Sequence, residues 1–352
     1  MKLLPLSILA VSSLAAAEFA PDAISVAGGD LTPTLLSKAG FAQTGDNGET
    51  SVSLAPAVNY TLVSGASTYT VNAGLDAGHI AGDGYSENYL DGFANGEGLF
   101  DLSASTRLIA AAGVVVESDG TAVAGFDAKT TVSAGGGVQL GDEAASDLVV
   151  VTRLGVEAVS FDTDAREAEE SFAVNALIES NYRLDATLAL LANVSASSTT
   201  FEENDTADSV DYAAEAGVAW VGVAMSEGSF LVGVKGDSFA NNSAADYSNI
   251  TVKLNNVWTP TELLAVTLNA SHVPTGVKAD ETILGLSANY AVASNLGVSA
   301  GVTHTLDDST EAKLGALYSF RRNVQLGGGF THTAPETGDA TNAVELTLNV
   351  GL

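Results

Sequence analysis

The segment Val344-Glu345-Leu346-Thr347-Leu348-Asn349-Val350-Gly351-Leu352 alternates large apolar residues with polar or small ones without a break. A period of two marks an extended strand with one apolar and one polar face. The same dyad recurs in Leu264, Val266 and Leu268 against Thr267, Asn269 and Ser271. It recurs again in Leu296, Val298, Ala300 and Val302 against Asn295, Gly297, Ser299, Gly301 and Thr303. A soluble sandwich would alternate too, but over shorter runs and with a charged outer face. Here the runs last about ten residues, enough for a tilted strand to cross a bilayer, and the polar face is Gly, Ser, Thr and Asn. The pattern predicts an all-β fold, a transmembrane antiparallel up-and-down β-barrel, apolar toward lipid and polar toward a lumen.

The connections give the strand number. Acidic or Gly/Asn-rich clusters centre on Asp46-Asn47-Gly48, Gly82–Asp91, Ser118–Gly120, Asp162–Glu167, Glu202–Asp208, Asn241–Asp246, Pro274–Asp280, Asp307–Ser309 and Pro335–Asp339. Tighter, less charged turns fall between them, near Ser64-Gly65, Leu102–Ser105, Leu140–Ala145, Leu184-Asp185, Met225–Gly228, Thr259-Pro260-Thr261, Ala293–Asn295 and Arg321–Asn323. Nine loops and eight turns define about 18 strands from Leu31 to Leu352. An even number brings both termini to the periplasmic side.

Composition agrees. The chain has 352 residues, 43 acidic against 13 basic side chains and a formal net charge of −30, yet 46% of it is hydrophobic. That apolar content excludes an acidic disordered tail. The absence of cysteine excludes a disulfide-stapled domain, and the acidity excludes nucleic acid as a partner. Residues 1–17 read as a secretory signal peptide: Lys2, a short apolar run, then the small-residue box Ala15-Ala16-Ala17. Residues 18–30 then form a periplasmic N-terminal segment and 31–352 the barrel. Beyond the leader, no apolar segment is long enough for a spanning helix.

Aromatic residues mark strand ends. Tyr60, Tyr182, Trp220, Trp258, Tyr290 and Phe320 precede the tighter turns, while Phe126, Phe172, Phe201, Phe239 and Phe330 flank the acidic loops. Two belts are what two membrane interfaces select. The four histidines, His79, His272, His304 and His332, sit near the outer ends of upward strands. Alternate strands lie about 10 Å apart, too far to share a metal, so these are belt residues and no metal site or other cofactor is expected.

These features resemble the outer-membrane β-barrel porin family associated with exopolysaccharide systems. Leu31-Thr32-Pro33-Thr34-Leu35-Leu36 followed by Asp46-Asn47 resembles that family's first hairpin. Asp101 to Arg107 resembles its first long-hairpin turn, and Asn181 to Asp185 and Val257 to Glu262 its later periplasmic turns. The resemblance implies a channel in the bacterial outer membrane and no catalytic residues. The chain departs from many barrels in ending on Leu352 rather than an aromatic residue.

The residues themselves carry no enzyme signature: no cysteine nucleophile, Walker loop or HExxH helix. Gly135-Gly136-Gly137 and Gly327-Gly328-Gly329 lie inside strands, where they bend or closely pack a curved wall. Parity assigns acidic Asp76, Asp127, Glu157, Glu179, Asp211, Glu215 and Glu345 to the lumen, with basic Lys129, Arg153, Arg183, Lys235, Lys253 and Lys313. Seven against six is near balance, which leaves most of the negative excess to the loops. Such charges either stiffen the wall as salt bridges or set pore selectivity. Two functions follow. The first is a channel for hydrophilic solutes, or one helping polysaccharide reach the surface. The alternative is a plugged structural or surface-interaction barrel whose acidic loops bind cations. Expected partners are outer-membrane lipid, lipopolysaccharide and the outer-membrane assembly machinery.

Overall fold

The dyad segments form strands, and their outward residues are large and apolar enough to need lipid rather than water. A computed structural model describes residues 19, 21–121, 125–203, 207–239, 247–274 and 280–352. The expected leader, 1–17, lies outside these residues, as do 204–206, 240–246 and 275–279 of three expected loops. A short strand β1 (Ile24–Val26) precedes β2 (Gly29–Thr44), β3 (Asn47–Ser64), β4 (Ser67–Gly82), β5 (Tyr85–Ser103), β6 (Thr106–Thr121) and β7 (Gly125–Leu140). Then come β8 (Leu148–Phe161), β9 (Ser171–Arg183), β10 (Leu188–Phe201), β11 (Ser209–Val223), β12 (Ser226–Phe239) and β13 (Tyr247–Thr261). The last are β14 (Leu264–Val273), β15 (Glu281–Ala293), β16 (Leu296–Thr305), β17 (Ser309–Arg321), β18 (Val324–Pro335) and β19 (Thr341–Gly351).

Each strand from β2 to β19 pairs antiparallel with its chain neighbour, and β19 pairs with β2 through Glu345 opposite Gly40. The ring therefore closes on 18 strands, and closure removes the unpaired edges that a bilayer cannot solvate. β1 stands outside the ring. It folds back on β2 through a two-residue turn at Ala27 and Gly28, both at positive φ, and continues the sheet below the end of β19. Barrel pairing thus begins at Asp30, opposite Thr61 of β3, one residue before the expected Leu31.

The pairing register separates two faces. One carries the exposed apolar residues, among them Leu54, Leu75, Leu90, Leu154, Val194, Val232, Leu268, Leu286, Val302, Leu314 and Leu346. Large apolar residues this exposed, all on the outside of a closed ring, suit lipid rather than water. A girdle of Tyr60, Tyr182, Trp220, Trp258, Tyr290 and Phe320 occupies this face near the turns, thickened by the edge-to-face pairs Tyr69–Phe100 and Tyr318–Phe320. The opposite girdle is thinner than expected. Phe172 and Phe330 face outward, but Phe201 lies opposite Ser171 and Phe239 opposite Ser209, on the inner face. Sequence position alone could not distinguish the faces at a strand end.

The wall is uneven in height. β2 to β7 have 16 to 19 residues each, whereas β14 and β16 have 10. About ten residues suffice to span the bilayer, so one side of the barrel continues well beyond it. The stretch Gly82–Asp91, expected to be a loop, contains only the tight turn Asp83-Gly84, after which β5 runs from Tyr85. Its outward residues there, Ser86 and Asn88, are polar because that part of the wall has left the lipid. The apolar half of the dyad vanishes and the strand resembles a loop. Gly137 in the β7 glycine run has a packing reason: a Cβ there would stand 2.3 Å from the Thr152 carbonyl oxygen of β8.

The four histidines share one outer-face motif. Each ring Nδ1 is hydrogen-bonded to a side chain opposite it on the next strand: Asn88 for His79, Thr282 for His272, Thr310 for His304 and Asn342 for His332, at 2.8–2.9 Å. No group of metal ligands occurs among the described residues.

Candidate functional site: the inner wall

The charged residues expected at the lumen all share the face opposite the apolar surface, the inside of the closed ring. Asp76 on β4 is opposite Asp91 on β5, and Lys129 on β7 is opposite Glu117 on β6. Arg153 and Glu157 on β8 are opposite Leu177 and Ala173; Glu179 on β9 is opposite Asn193. Asp211 on β11 is opposite Asp237, while Ala213 and Gly233 are opposite Lys235 and Glu215 respectively. Lys253 on β13, Lys313 on β17 and Glu345 on β19 are opposite Ser271, Thr331 and Gly329.

The structure gathers only some of these into ion pairs. Glu215 is nearly buried and bonds Lys253 Nζ at 2.7 Å, with the Thr251 hydroxyl donating at 3.2 Å. This triad crosses from β11 to β13 over the small Gly233 of β12. Lys129 meets Glu117 at 3.5 Å and Lys313 meets Glu311 at 2.7 Å. Lys38 of β2 reaches Asp76 at 3.9 Å. Asp127 accepts the Thr163 hydroxyl at 2.7 Å, tying β7 to the loop after β8. Arg183 turns away, donating to the carbonyls of Glu143 and Ala144 in the turn between β7 and β8. Arg153, Glu157, Glu179 and Glu345 make no ion pair with a described residue. Next to Arg183, the turn is held by Asp185, whose carboxylate accepts the Thr187 N–H and hydroxyl and the Leu188 N–H at 2.7–2.9 Å. The Thr187 bonds, with that of Leu188, hold the Asp185 carboxyl below its ordinary range.

The Glu215 triad yields a stability expectation. Lys253→Met strands a carboxylate that is nearly buried, which should cost about 1–3 kcal/mol. Adding Glu215→Gln should recover part of that loss. Urea unfolding of the refolded barrel in detergent micelles, followed by tryptophan fluorescence, checks both; equal midpoints for Lys253→Met and the parent would refute it.

Sequence reading missed much of the inner charge. The same face also carries Glu49, Glu87, Asp91, Glu97, Asp101, Glu117, Asp237 and Glu311, against the further cations Lys38 and Arg107. Arg107 is spent on Asp101 at 2.5 Å. The inner wall is therefore distinctly acidic rather than near balance. The missed signal was the continuing alternation Tyr85, Glu87, Tyr89, Asp91, Phe93, Asn95, Glu97. It is hidden because Ser86 and Asn88 make its first part polar on both faces, as in a loop.

Below that stretch the wall holds a recess of about 490 Å³, lined by Asn72, Asn95, Glu97, Glu157, Asn175 and small residues of β6 to β8 such as Gly113, Ser133 and Gly135. Small inner residues on three adjacent strands leave the volume, and two carboxylates face it. Asn59, Asn72 and Asn95 form a hydrogen-bonded ladder across β3, β4 and β5 at its edge. The recess can hold a small polar solute against amide and carboxylate groups.

The chain is thus a closed 18-strand antiparallel barrel with an apolar exterior and an acidic, recessed interior, the form of barrel that suits a bilayer. No protein-family model matches the chain and no curated protein matches its sequence. Solved structures do. Pseudomonas aeruginosa OpdQ matches with a TM-score of 0.55 at 10% identity, over 93% of this chain and 99% of that one. Acinetobacter baumannii OccAB4 matches at 0.55 and 12%, over 92% and 98%. The crystal structure of Pseudomonas aeruginosa OpdK with vanillate matches at 0.54 and 12%, over 92% and 98%. At such identities the likeness is one of fold.

Proposed function

We propose that this protein is a passive outer-membrane channel for small hydrophilic solutes, with a preference for cations. The observation that carries the reading is the acidic inner face, with carboxylates on many strands, opening onto a recess of about 490 Å³. Barrels of 16–18 strands leave room for water inside. The likeness to OpdK with vanillate supports solute passage only at the level of fold, since vanillate is an anion and this wall would repel it. In this reading Asp76, Glu157, Glu179 and Glu345 face passing solute, while Glu215, Lys253 and Lys313 mainly brace the wall. Export through a leader at 1–17 and insertion by the assembly machinery belong to the same proposal. Polysaccharide as the solute rests on the sequence resemblance to barrels of exopolysaccharide systems.

Purified full-length protein in a planar bilayer should give discrete conductance steps in KCl. Silence in protein that is folded and heat-modifiable would overturn the channel reading. It would leave the plugged, cation-binding barrel in its place.

A further inference from the structure

We propose that the outer half of β5 is a binding track for organic amines, a solute class narrower than cations at large; the inference rests on the channel reading above. The inner face of this strand alternates ring and carboxylate: Tyr85, Glu87, Tyr89, Asp91, Phe93. Residues on one face of a strand repeat about every 7 Å, so each ring stands next to an acid and the next ring lies about 14 Å on.

The rings are held flat by the neighbouring strand. Tyr85, Tyr89 and Phe93 lie opposite Gly82, Gly78 and Gly74 of β4. A Cβ on Gly78 would fall 2.1 Å from the Tyr89 ring; on Gly82, 2.5 Å from Tyr85; on Gly74, 2.7 Å from Phe93. Only glycine leaves that space, and three glycines at intervals of four place three rings across the strand. Each ring lies over the glycine opposite it, and the Tyr85 hydroxyl donates to Glu49 of β3. Phe93 keeps 39% of its surface exposed.

The charges beside the rings are not neutralised. Glu87 makes no hydrogen bond or ion pair with a described residue. Among the described residues Asp91 accepts only the Ser118 N–H, at 2.7 Å, through one oxygen. It stands opposite Asp76, whose Oδ1 is buried without a hydrogen-bond partner. The chain's own ammonium, Lys38, sits 3.9 Å from the other oxygen of Asp76, so this stretch of wall already accommodates one amine. A ring face attracts a cation through its quadrupole, and a carboxylate beside it adds directional charge. Mobile inorganic cations keep their water and gain only from the carboxylates. Alkylammonium groups shed water more readily and gain from both, so the track favours diamines and polyamines and leads them down to Glu97 and the recess.

The test is block of the KCl current of the full-length protein by 1,4-diaminobutane, compared with Mg²⁺ at equal charge and with maltotriose. Diamine should block at markedly lower concentration than Mg²⁺, and maltotriose should not block. Tyr89→Ala and Phe93→Ala should each raise the half-blocking concentration roughly 3- to 10-fold, whereas Tyr89→Phe should leave it unchanged. Equal block by Mg²⁺ and diamine, insensitive to both alanine variants, would overturn the proposal in favour of diffuse acidity. Block by maltotriose would make the rings a sugar track instead. Calorimetric titration of diamine into detergent-solubilised protein gives the same comparison without current. A silent bilayer with ring-dependent diamine binding therefore condemns the channel reading alone, and conductance without such binding condemns the track alone. Heat-modifiable migration of each variant establishes that it folds.

Discussion

Leu268→Arg should leave the barrel largely unfolded or strongly destabilised, while Thr267→Arg, one residue away, should fold as the parent does. Leu268 points out from β14 opposite Leu286 of β15 and is 42% exposed on the apolar surface. An arginine there puts a charge into hydrocarbon, at a cost of about 2–4 kcal/mol near the bilayer midplane. Thr267 points inward, opposite Ser287 and Val257, where a guanidinium stays out of the hydrocarbon. Its effect should appear in conductance instead. Refolding yield into liposomes, read by heat-modifiable migration on gels, separates the two. Equal loss by both substitutions would mean that the two faces have been exchanged.

Cation preference should be pronounced at low ionic strength and survive in part at high salt. Two sets of acids act over different lengths. The loops offer Asp162, Glu167, Glu202, Glu203, Asp307 and Asp308 around one mouth. Charges there act within a Debye length, about 10 Å at 0.1 M and about 3 Å at 1 M, so their contribution should fade with salt. The inner carboxylates of β3 to β6 stand beside the permeating ion, where screening is weaker. Reversal potentials across a KCl gradient should thus fall with salt toward a cation-selective remainder. Neutralising Glu202 and Glu203 should remove mainly the salt-sensitive part. Glu87→Gln with Asp91→Asn should lower the remainder, and Glu345→Gln alone should change little. Anion preference at 0.1 M would refute the reading and point to Lys129, Arg153, Lys235 and Lys253 as the narrowest part of the path.

The closed fold was legible because lipid demands a strict rule. Every membrane-spanning residue must face either hydrocarbon or the interior, and Val344 to Leu352 states that rule in nine residues. The rule holds along the chain, so alternation and turn chemistry by themselves determined an antiparallel barrel, its 18 strands and the parity of residues such as Glu157 and Glu345. Where the wall leaves the membrane the rule lapses. Tyr85 to Asp91 has polar residues on both faces, so its alternation of ring and acid lacks the apolar partner face that marks the other strands. Hydrogen bonding to β4 decides that it is a strand, because each backbone group there needs a partner that β4 supplies in register. Contacts across strands likewise escape any linear reading. Lys38 and Asp76 are separated by a whole hairpin, and Glu215 finds Lys253 across an intervening strand. The chain's own alternation thus decided which face each residue of the lipid-spanning wall occupies. Only curvature and register of the closed ring decided which inner residues meet, why glycines of β4 seat the rings of β5, and that the interior is acidic.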